Sequence, residues 1–265
     1  MTISKNKKGH ERPLVTVVTV VYNGLADIED TIKSVLKQDY ARIEYIIIDG
    51  SSTDGTVDLI SKYSYQIDYF ISEPDRGIYD AMNKGISVAT GDWIIFMNAG
   101  DWFLNPSTIS KAISMINPGT IIAAGAVEIR YPNFTRTEVA RRPDKLWSGM
   151  QFSHQSAFIR LDYHRKNSYD IRHPIAADLA FMYQARKSGV HFQILTEVVA
   201  SVVTGGVSEK DRVRTIRDSC EAVCQGEFKP LTRVYYGIRV LDAKLRSLFK
   251  CALPESVVIN LIKLK

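Results

Sequence analysis

The sequence predicts an α/β fold: an open, twisted, mostly parallel sheet flanked by helices on both faces, followed by a C-terminal helical tail. Three observations predict it. Val15 to Tyr22 is a β-branched run that stops at Asn23-Gly24, the pattern of a strand buried on both faces. Ile28, Ile32, Val35 and Leu36 then fall at helical spacing. A second apolar run, Ile43 to Ile48, closes on Asp49-Gly50. Strand, crossover helix and second strand make one βαβ unit.

The alternation continues. A helix is expected from Thr56 to Lys62, a strand at Tyr69 to Ser72, a helix from about Tyr79 to Ala89 and a strand at Trp93 to Met97. Ser107 to Ile116 reads as a helix and Ile121 to Ile129 as a strand. The polar segment Arg130 to Gly149, interrupted by Pro132 and Pro143, is expected to be a long loop. Strand material at Ser156 to Ile159 precedes a helix from Ala177 to Ser188, stopped by Gly189. Further strand material at Phe192 to Leu195 and Val198 to Val203 ends at Gly205-Gly206, and the pattern is helical from about Val213. The expected organisation is a flexible N-terminus at 1–12, one domain at 13–212 and a basic amphipathic tail at 213–265.

With 265 residues, 45% of them hydrophobic and 24% charged, the composition fits a globular chain and excludes collagen-like, disordered and disulfide-scaffold classes. The longest apolar runs fall well short of the roughly 20 residues that span a bilayer. Met1 to Arg12 is polar and basic, unlike a secretory signal, so a cytoplasmic location is expected. Cys220, Cys224 and Cys251 lack the partners of a zinc quartet and read as reduced thiols. The net charge of +5 belongs to the tail, where eight basic residues from Lys229 onward face only Asp242 and Glu255.

In an open parallel sheet, ligands bind outside the carboxyl ends of the strands. Those ends here carry Asn23, Asp49, Asp75, Arg76, Asn98 and Asp101. Turn preferences explain such residues one at a time, and Ser52 or Asp54 suits a helix cap. As a set, recurring carboxylates with an arginine among them suit a diphosphate and a divalent cation. Magnesium or manganese takes one or two protein carboxylates plus ligand phosphates, and Asp101 is the best such carboxylate. The first turn lacks a G-x-G-x-x-G fingerprint and no Walker A loop is present, which counts against dinucleotide binding of the ordinary kind.

Four segments carry a resemblance: Val17-Val-Thr-Val-Val-Tyr-Asn23, Ile46-Ile-Ile-Asp-Gly-Ser-Ser-Thr-Asp-Gly-Thr56, Ser72-Glu-Pro-Asp-Arg-Gly-Ile-Tyr-Asp-Ala-Met-Asn-Lys-Gly-Ile86 and Gly91-Asp-Trp-Ile-Ile-Phe-Met-Asn-Ala-Gly-Asp101. In this order they resemble family 2 glycosyltransferases of the GT-A fold, of the bacterial surface-polysaccharide type, over about residues 13 to 208. The resemblance implies that the backbone around Val20, Tyr22 and Asn23 flanks a nucleoside, that Asp49 accepts a hydrogen bond from its base, and that Asp75 and Arg76 lie near base and diphosphate. Asp101 matches the last acid of the D-x-D-type motif, the ligand of a Mn2+ or Mg2+ ion. Two positions depart from the pattern. Asn98 replaces the first acid of that motif on the donor side, and Met82 stands where many relatives have arginine, leaving Arg76 or Lys84 to compensate.

Ile175-Ala-Ala-Asp178-Leu resembles the segment that supplies the family's general base, with a helix cap as the local alternative for Asp178. Gly205-Gly206-Val207-Ser208 resembles the closing segment near the donor, here through Gly206. His154 is expected to face acceptor or diphosphate, and Trp102 and Trp147 to stack on an acceptor sugar, whereas Trp93 belongs to the core.

The implied activity is inverting, metal-dependent and non-processive transfer of a hexosyl or N-acetylhexosaminyl group. The donor is a nucleotide diphosphate sugar, with UDP favoured, and the acceptor a hydroxyl of a glycan or lipid-linked oligosaccharide in surface polysaccharide biosynthesis. The alternatives are a catalytically silent sugar-nucleotide-binding scaffold and a dinucleotide-dependent oxidoreductase. In the tail, Leu231, Val234, Tyr235, Ile238, Leu241, Leu245 and Leu248 recur at steps of three and four, with Arg233, Arg239, Lys244, Arg246 and Lys250 between them. Two readings of 229–265 stay open: an anionic membrane surface, which would place the protein on the cytoplasmic face of the inner membrane, or packing on the protein itself. Nucleic acid is not an expected partner, because the rim is acidic.

Overall fold

A computed structural model describes residues 12–206 and 211–252, and side chains as far as Ser247. The flexible segment expected at 1–12 therefore lies almost wholly outside the described residues, as do Val207-Ser208 and the tail from 253 on, with the side chains of Leu248, Lys250 and Cys251. In chain order the elements of the first half are β1 (Val15–Val21), α1 (Ile28–Leu36), β2 (Ile43–Asp49), α2 (Thr56–Ser61), β3 (Tyr69–Ser72), α3 (Ile78–Val88), β4 (Trp93–Phe96), β5 (Trp102–Phe103) and α4 (Thr108–Met115). Then come β6 (Ile122–Tyr131), β7 (Phe134–Glu138), β8 (Ala157–Arg160), α5 (Leu161–Lys166), α6 (Ala177–Lys187), β9 (Phe192–Val203), α7 (Arg212–Cys224) and α8 (Pro230–Ala252).

One sheet runs in the order β3-β2-β1-β4-β8-β6-β9-β5, with β7 added beside β6. The four strands β3, β2, β1 and β4 are mutually parallel, as the βαβ pattern requires. Across β8 the sheet becomes mixed: β4 and β6 both pair antiparallel with β8, while β6 pairs parallel with β9. The pleat of the parallel half explains its double burial. Val18, Val20, Ile46, Ile48, Ile94 and Phe96 face the side covered by α3, α6, α7 and α8, and Val15, Val17, Val21, Ile47 and Ile95 face α1, α2 and α4. Fully burying each such aliphatic side chain contributes about 1.5–3 kcal/mol, so the central strands are the main source of stability.

Three expectations change. The segment from 130 to 149 is not a long loop: β6 continues to Tyr131, turns over Pro132-Asn133 into β7, and a 3-10 helix covers Pro143–Ser148. The two strand pieces near the end of the domain are one strand, β9, whose pairing to β6 shifts register between Ala124 and Val127. A Cβ on Gly125 would lie 2.5 Å from the Glu197 carbonyl oxygen, so the close approach at this irregularity requires glycine. The boundary at 212 does not divide the packing, because Ile216, Cys220, Val223 and Cys224 of α7 and Tyr236 of α8 belong to the same buried cluster as Met82 and Phe96.

His164 of α5 is fully buried between Tyr169 and Phe181, and burial lowers its pKa from 6.5 to about 4. The unfolded chain therefore takes up a proton there before the folded one does, so this histidine removes stability as pH falls from about 6.5 to about 4. Urea titrations of wild type and His164→Gln should show it: the wild type loses roughly 3 kcal/mol more than the variant over that interval.

Candidate active site

The polar rim forms where β1 to β4 end, and its two sides differ. On the first, Asn23 adopts a left-handed backbone with φ 48°, its N–H donating to Ser52 Oγ at 2.7 Å and its Oδ1 accepting from Thr53 N–H at 2.9 Å. The β1 and β2 loops are thus tied together, leaving Tyr22 67% exposed above them. Asp75 accepts from Gly77 N–H at 2.8 Å, and a Cβ on Gly50 would stand 2.5 Å from Asp75 Oδ2, so Gly50 lets the carboxylate lie against the end of β2. Asp54 serves locally, accepting from Thr56 N–H at the start of α2.

Three residues expected at the donor, Asp49, Arg76 and Lys84, have their side chains engaged within the protein. Asp49 is fully buried, and its carboxylate accepts from Ser52 N–H, Ser52 Oγ and Ser72 Oγ at 2.9, 2.5 and 2.6 Å, so it shapes the loop. Val20, of which the backbone is the part expected beside the nucleoside, has its side chain in the core. Arg76 is turned to Asp80 at 2.9 Å, and Lys84 is held by Glu73 and the Pro74 carbonyl oxygen, both at 2.8 Å. Neither cation is brought to Asp101; each satisfies the nearest acid or carbonyl on its own α3 or the adjoining loop.

On the second side, chemistry-bearing groups converge. Asn98, just past β4, has its Nδ2 3.1 Å from His154 Nε2, and His154 Nδ1 lies 3.2 Å from Asp178 Oδ2. With the amide donating, Nε2 is the accepting nitrogen and the proton sits on Nδ1, directed at Asp178. Asp178 occupies the first turn of α6, and its Oδ1 accepts from Leu179 N–H at 2.7 Å. It is not the helix cap: that position is Ala176.

Asp101 is 6% exposed, accepting from Gln155 Nε2 at 2.8 Å and Val203 N–H at 3.3 Å. Burial nevertheless pushes its pKa up, because so little solvent reaches the charge. Beside it, Asn98 Oδ1 is buried and accepts nothing. A carboxylate and an orphaned carboxamide oxygen fit a hard divalent cation. Among the described residues no group of three or more acidic, histidine or cysteine ligands could hold a metal, so such an ion would complete its shell with water and ligand phosphates.

The aromatic expectations fare unevenly. Trp102 adjoins Asp101, but the Arg130 guanidinium lies over its ring and donates to the Gly100 carbonyl oxygen at 2.6 Å, covering one face. Trp147 is not with the convergent groups; its ring meets Tyr235 of α8 at 5.1 Å. Gly206 is exposed, with open space where a Cβ would stand. Three residues join the site unannounced. Gln155 follows His154 directly, which was its only signal; Arg130 arrives from β6; and buried Tyr79 donates to the Ile175 carbonyl oxygen at 3.0 Å, its pKa raised by burial and by the nearby Asp178 charge.

Comparison with known proteins bears on this geometry. An uncharacterized glycosyltransferase of Mycobacterium tuberculosis is 34% identical over 180 residues, covering 65% of this chain and 69% of that protein. A PGL/p-HBAD biosynthesis glycosyltransferase of Mycobacterium bovis is 28% identical over 176 residues, covering 64% and 68%. Among solved structures, the mannosyltransferase PcManGT of Pyrobaculum calidifontis, in complex with GDP-Man and Mn2+, aligns with a TM-score of 0.67 at 18% identity over 95% of this chain and 79% of that one. Residues 1–349 of S. aureus TarS, in complex with UDP, align with a TM-score of 0.62 at 17% identity over 82% and 67%. The fold is therefore GT-A. Residues 16–186 match the profile of Glycosyl transferase family 2, and the chain belongs to that family.

Proposed function

We propose that the protein transfers one sugar, with inversion, from a nucleoside diphosphate sugar to a hydroxyl of a glycan or lipid-linked oligosaccharide, without processive elongation. The observation that carries this reading is the Asn98, His154, Asp178 relay beside Asp101. Inversion needs a carboxylate that takes the acceptor's hydroxyl proton while its oxygen forms a bond to the anomeric carbon. The bond to the departing diphosphate breaks on the opposite face. Asp178 is the base in this scheme, His154 orients it, and Asp101 with Asn98 Oδ1 holds manganese or magnesium. When bound, the ion supplies charge neutralisation for the diphosphate. Tyr22, Asn23 and Asp75 line the nucleoside side. UDP is the favoured nucleotide, though the aligned solved structures carry UDP in one case and GDP-Man in another. The group transferred is hexosyl or N-acetylhexosaminyl and the setting surface-polysaccharide assembly; a putative teichuronic acid biosynthesis glycosyltransferase of Bacillus subtilis, 39% identical over 93 residues, and the UDP-GlcNAc and GDP-Man complexes of the aligned folds support that reading.

Two measurements test the site. Saturating UDP with manganese should raise the thermal midpoint by several degrees, given about 2.7 kcal/mol at a hundredfold excess over Kd, and Asp101→Asn should abolish the metal-dependent part. Asp178→Asn should lower kcat by about 10²–10⁴ while leaving the UDP-induced shift intact. Wild-type turnover in that variant would remove Asp178 as the base.

The second part of the proposal concerns α8. Its inner face is packed: Tyr236 is 2% exposed, and Arg239 donates to the Ser148 carbonyl oxygen at 2.7 Å. The opposite face presents Leu231, Val234, Ile238, Leu241 and Leu245, each between 46% and 85% exposed. No helix of the described residues is long and apolar enough to cross a membrane. An apolar stripe on a tail carrying six surplus positive charges instead suits adsorption to an anionic lipid surface. Because the inner face is structural, the test uses substitution and not truncation. Ile238→Asp with Leu241→Asp should abolish co-sedimentation with phosphatidylglycerol vesicles while the thermal midpoint stays within about 2 °C. Undiminished binding sinks the proposal, and conversion of a dimer to monomer without any vesicle binding reassigns the stripe to a second copy.

A further inference from the structure

Helix α6 begins at Ala177 with Ala176 in the capping position, so no side chain at the cap serves the entry of the helix, and Asp178 Oδ1 takes only the N–H of Leu179. The acceptor comes from the tail. Asp218 of α7, with a side chain 12% exposed, takes the N–H of Ile175 and of Ala176 on Oδ2 at 2.8 and 3.0 Å. Its Oδ1 lies 2.9 Å from His173 Nδ1. From the other side, the Tyr79 hydroxyl donates to the Ile175 carbonyl oxygen at 3.0 Å. His173, Ile175 and Ala176, ahead of the Ala177-Asp178 turn, are thus held by one carboxylate 42 to 45 positions later in the chain and one hydroxyl 96 positions earlier. A carboxylate at this end of a helix is also favoured by the helix dipole.

We propose that Asp218 is a positioning residue for transfer: by capping α6 from outside, it fixes the backbone that carries Asp178 and so fixes Asp178 Oδ2 on His154. The proposal rests on the reading of Asp178 as base. It makes α7 part of the catalytic unit. The effect is one of placement, since a misplacement of about 1 Å at a reacting group costs about a hundredfold in rate.

The test is a graded series in the full chain with UDP-sugar turnover, donor KM and the UDP-manganese thermal shift read together. Asp218→Ala is expected to lower kcat about 10- to 100-fold with donor KM and the UDP-induced shift unchanged, because the residue contacts nothing on the nucleoside side. Asp218→Asn keeps one accepting oxygen for the two backbone donors but loses the charge, and should fall between wild type and the alanine variant. If the alanine variant does not fold, the asparagine variant decides: a several-fold loss of kcat at constant thermal shift supports the proposal, and wild-type kcat overturns it. Parallel loss of kcat and of the UDP-induced shift marks general unfolding of the site and also overturns it. Asp178→Asn separates the two readings. If that variant is inactive while Asp218→Ala is fully active, only the positioning role falls; if Asp178→Asn is active, the base assignment falls.

Discussion

His154 is bonded through both ring nitrogens, and that double engagement joins the two halves of the molecule at a polar seam. One nitrogen reaches Asn98, at the end of a strand from the parallel half, and the other reaches Asp178, on a helix of the second half. A ring held at both ends cannot rotate without leaving a half-buried polar group unpaired, which costs more than the bond itself contributes. Gln155, the next residue, does the same for Asp101. Two consecutive side chains therefore place the Asp101 and Asp178 carboxylates relative to one another, and the short 3-10 turn over His154–Ser156 aims them.

The electrostatics of the seam follow from that geometry. Asp101 is buried beside a second oxygen that accepts no hydrogen bond, and burial raises its pKa even though the Arg130 charge acts to lower it. The protein does not correct this with its own cations: Arg76 and Lys84 pair with Asp80 and Glu73. Arg130 comes nearest, yet it is spent on the Gly100 carbonyl oxygen and the Trp102 face, and burial lowers its own pKa. In the proposed scheme a divalent cation would arrive with its own anionic ligand, and ion and phosphates would neutralise both the carboxylate and each other.

How much of this could be read from the chain divides by sequence distance. The central strands and their helices were legible because Val15 to Val21 and Ile43 to Ile48 are β-branched runs with helical spacing between them, and the rim followed from where those strands stop. The β6 to β7 hairpin was not, since Pro132-Asn133 reads equally as a turn between paired strands or as a break in a loop, and only the pairing of Arg130 with Thr135 decides. The tail's periodicity was legible, but an apolar stripe does not say which side of a helix is covered. Tyr235 and Leu231 belong to one pattern, yet one packs on Trp147 and the other stands in solvent. Asp49 illustrates the opposite limit: a strand-end acid of the right type, whose burial by Ser52 and Ser72 depends on loops that no local pattern specifies.

The division of labour between Asp178 and Asp218 shows why the seam needs the tail. An aspartate at the first turn of a helix ordinarily offers its oxygens to the N–H groups there, and Asp178 gives one of them, Oδ1, to Leu179. Were it also to serve Ile175 and Ala176, both oxygens would be committed to backbone donors and none would be left toward His154 or an incoming hydroxyl. Asp218 takes those two donors instead. An acid of the tail thus relieves an acid of the site, and Asp178 Oδ2 stays directed at the His154 imidazole, which orients it.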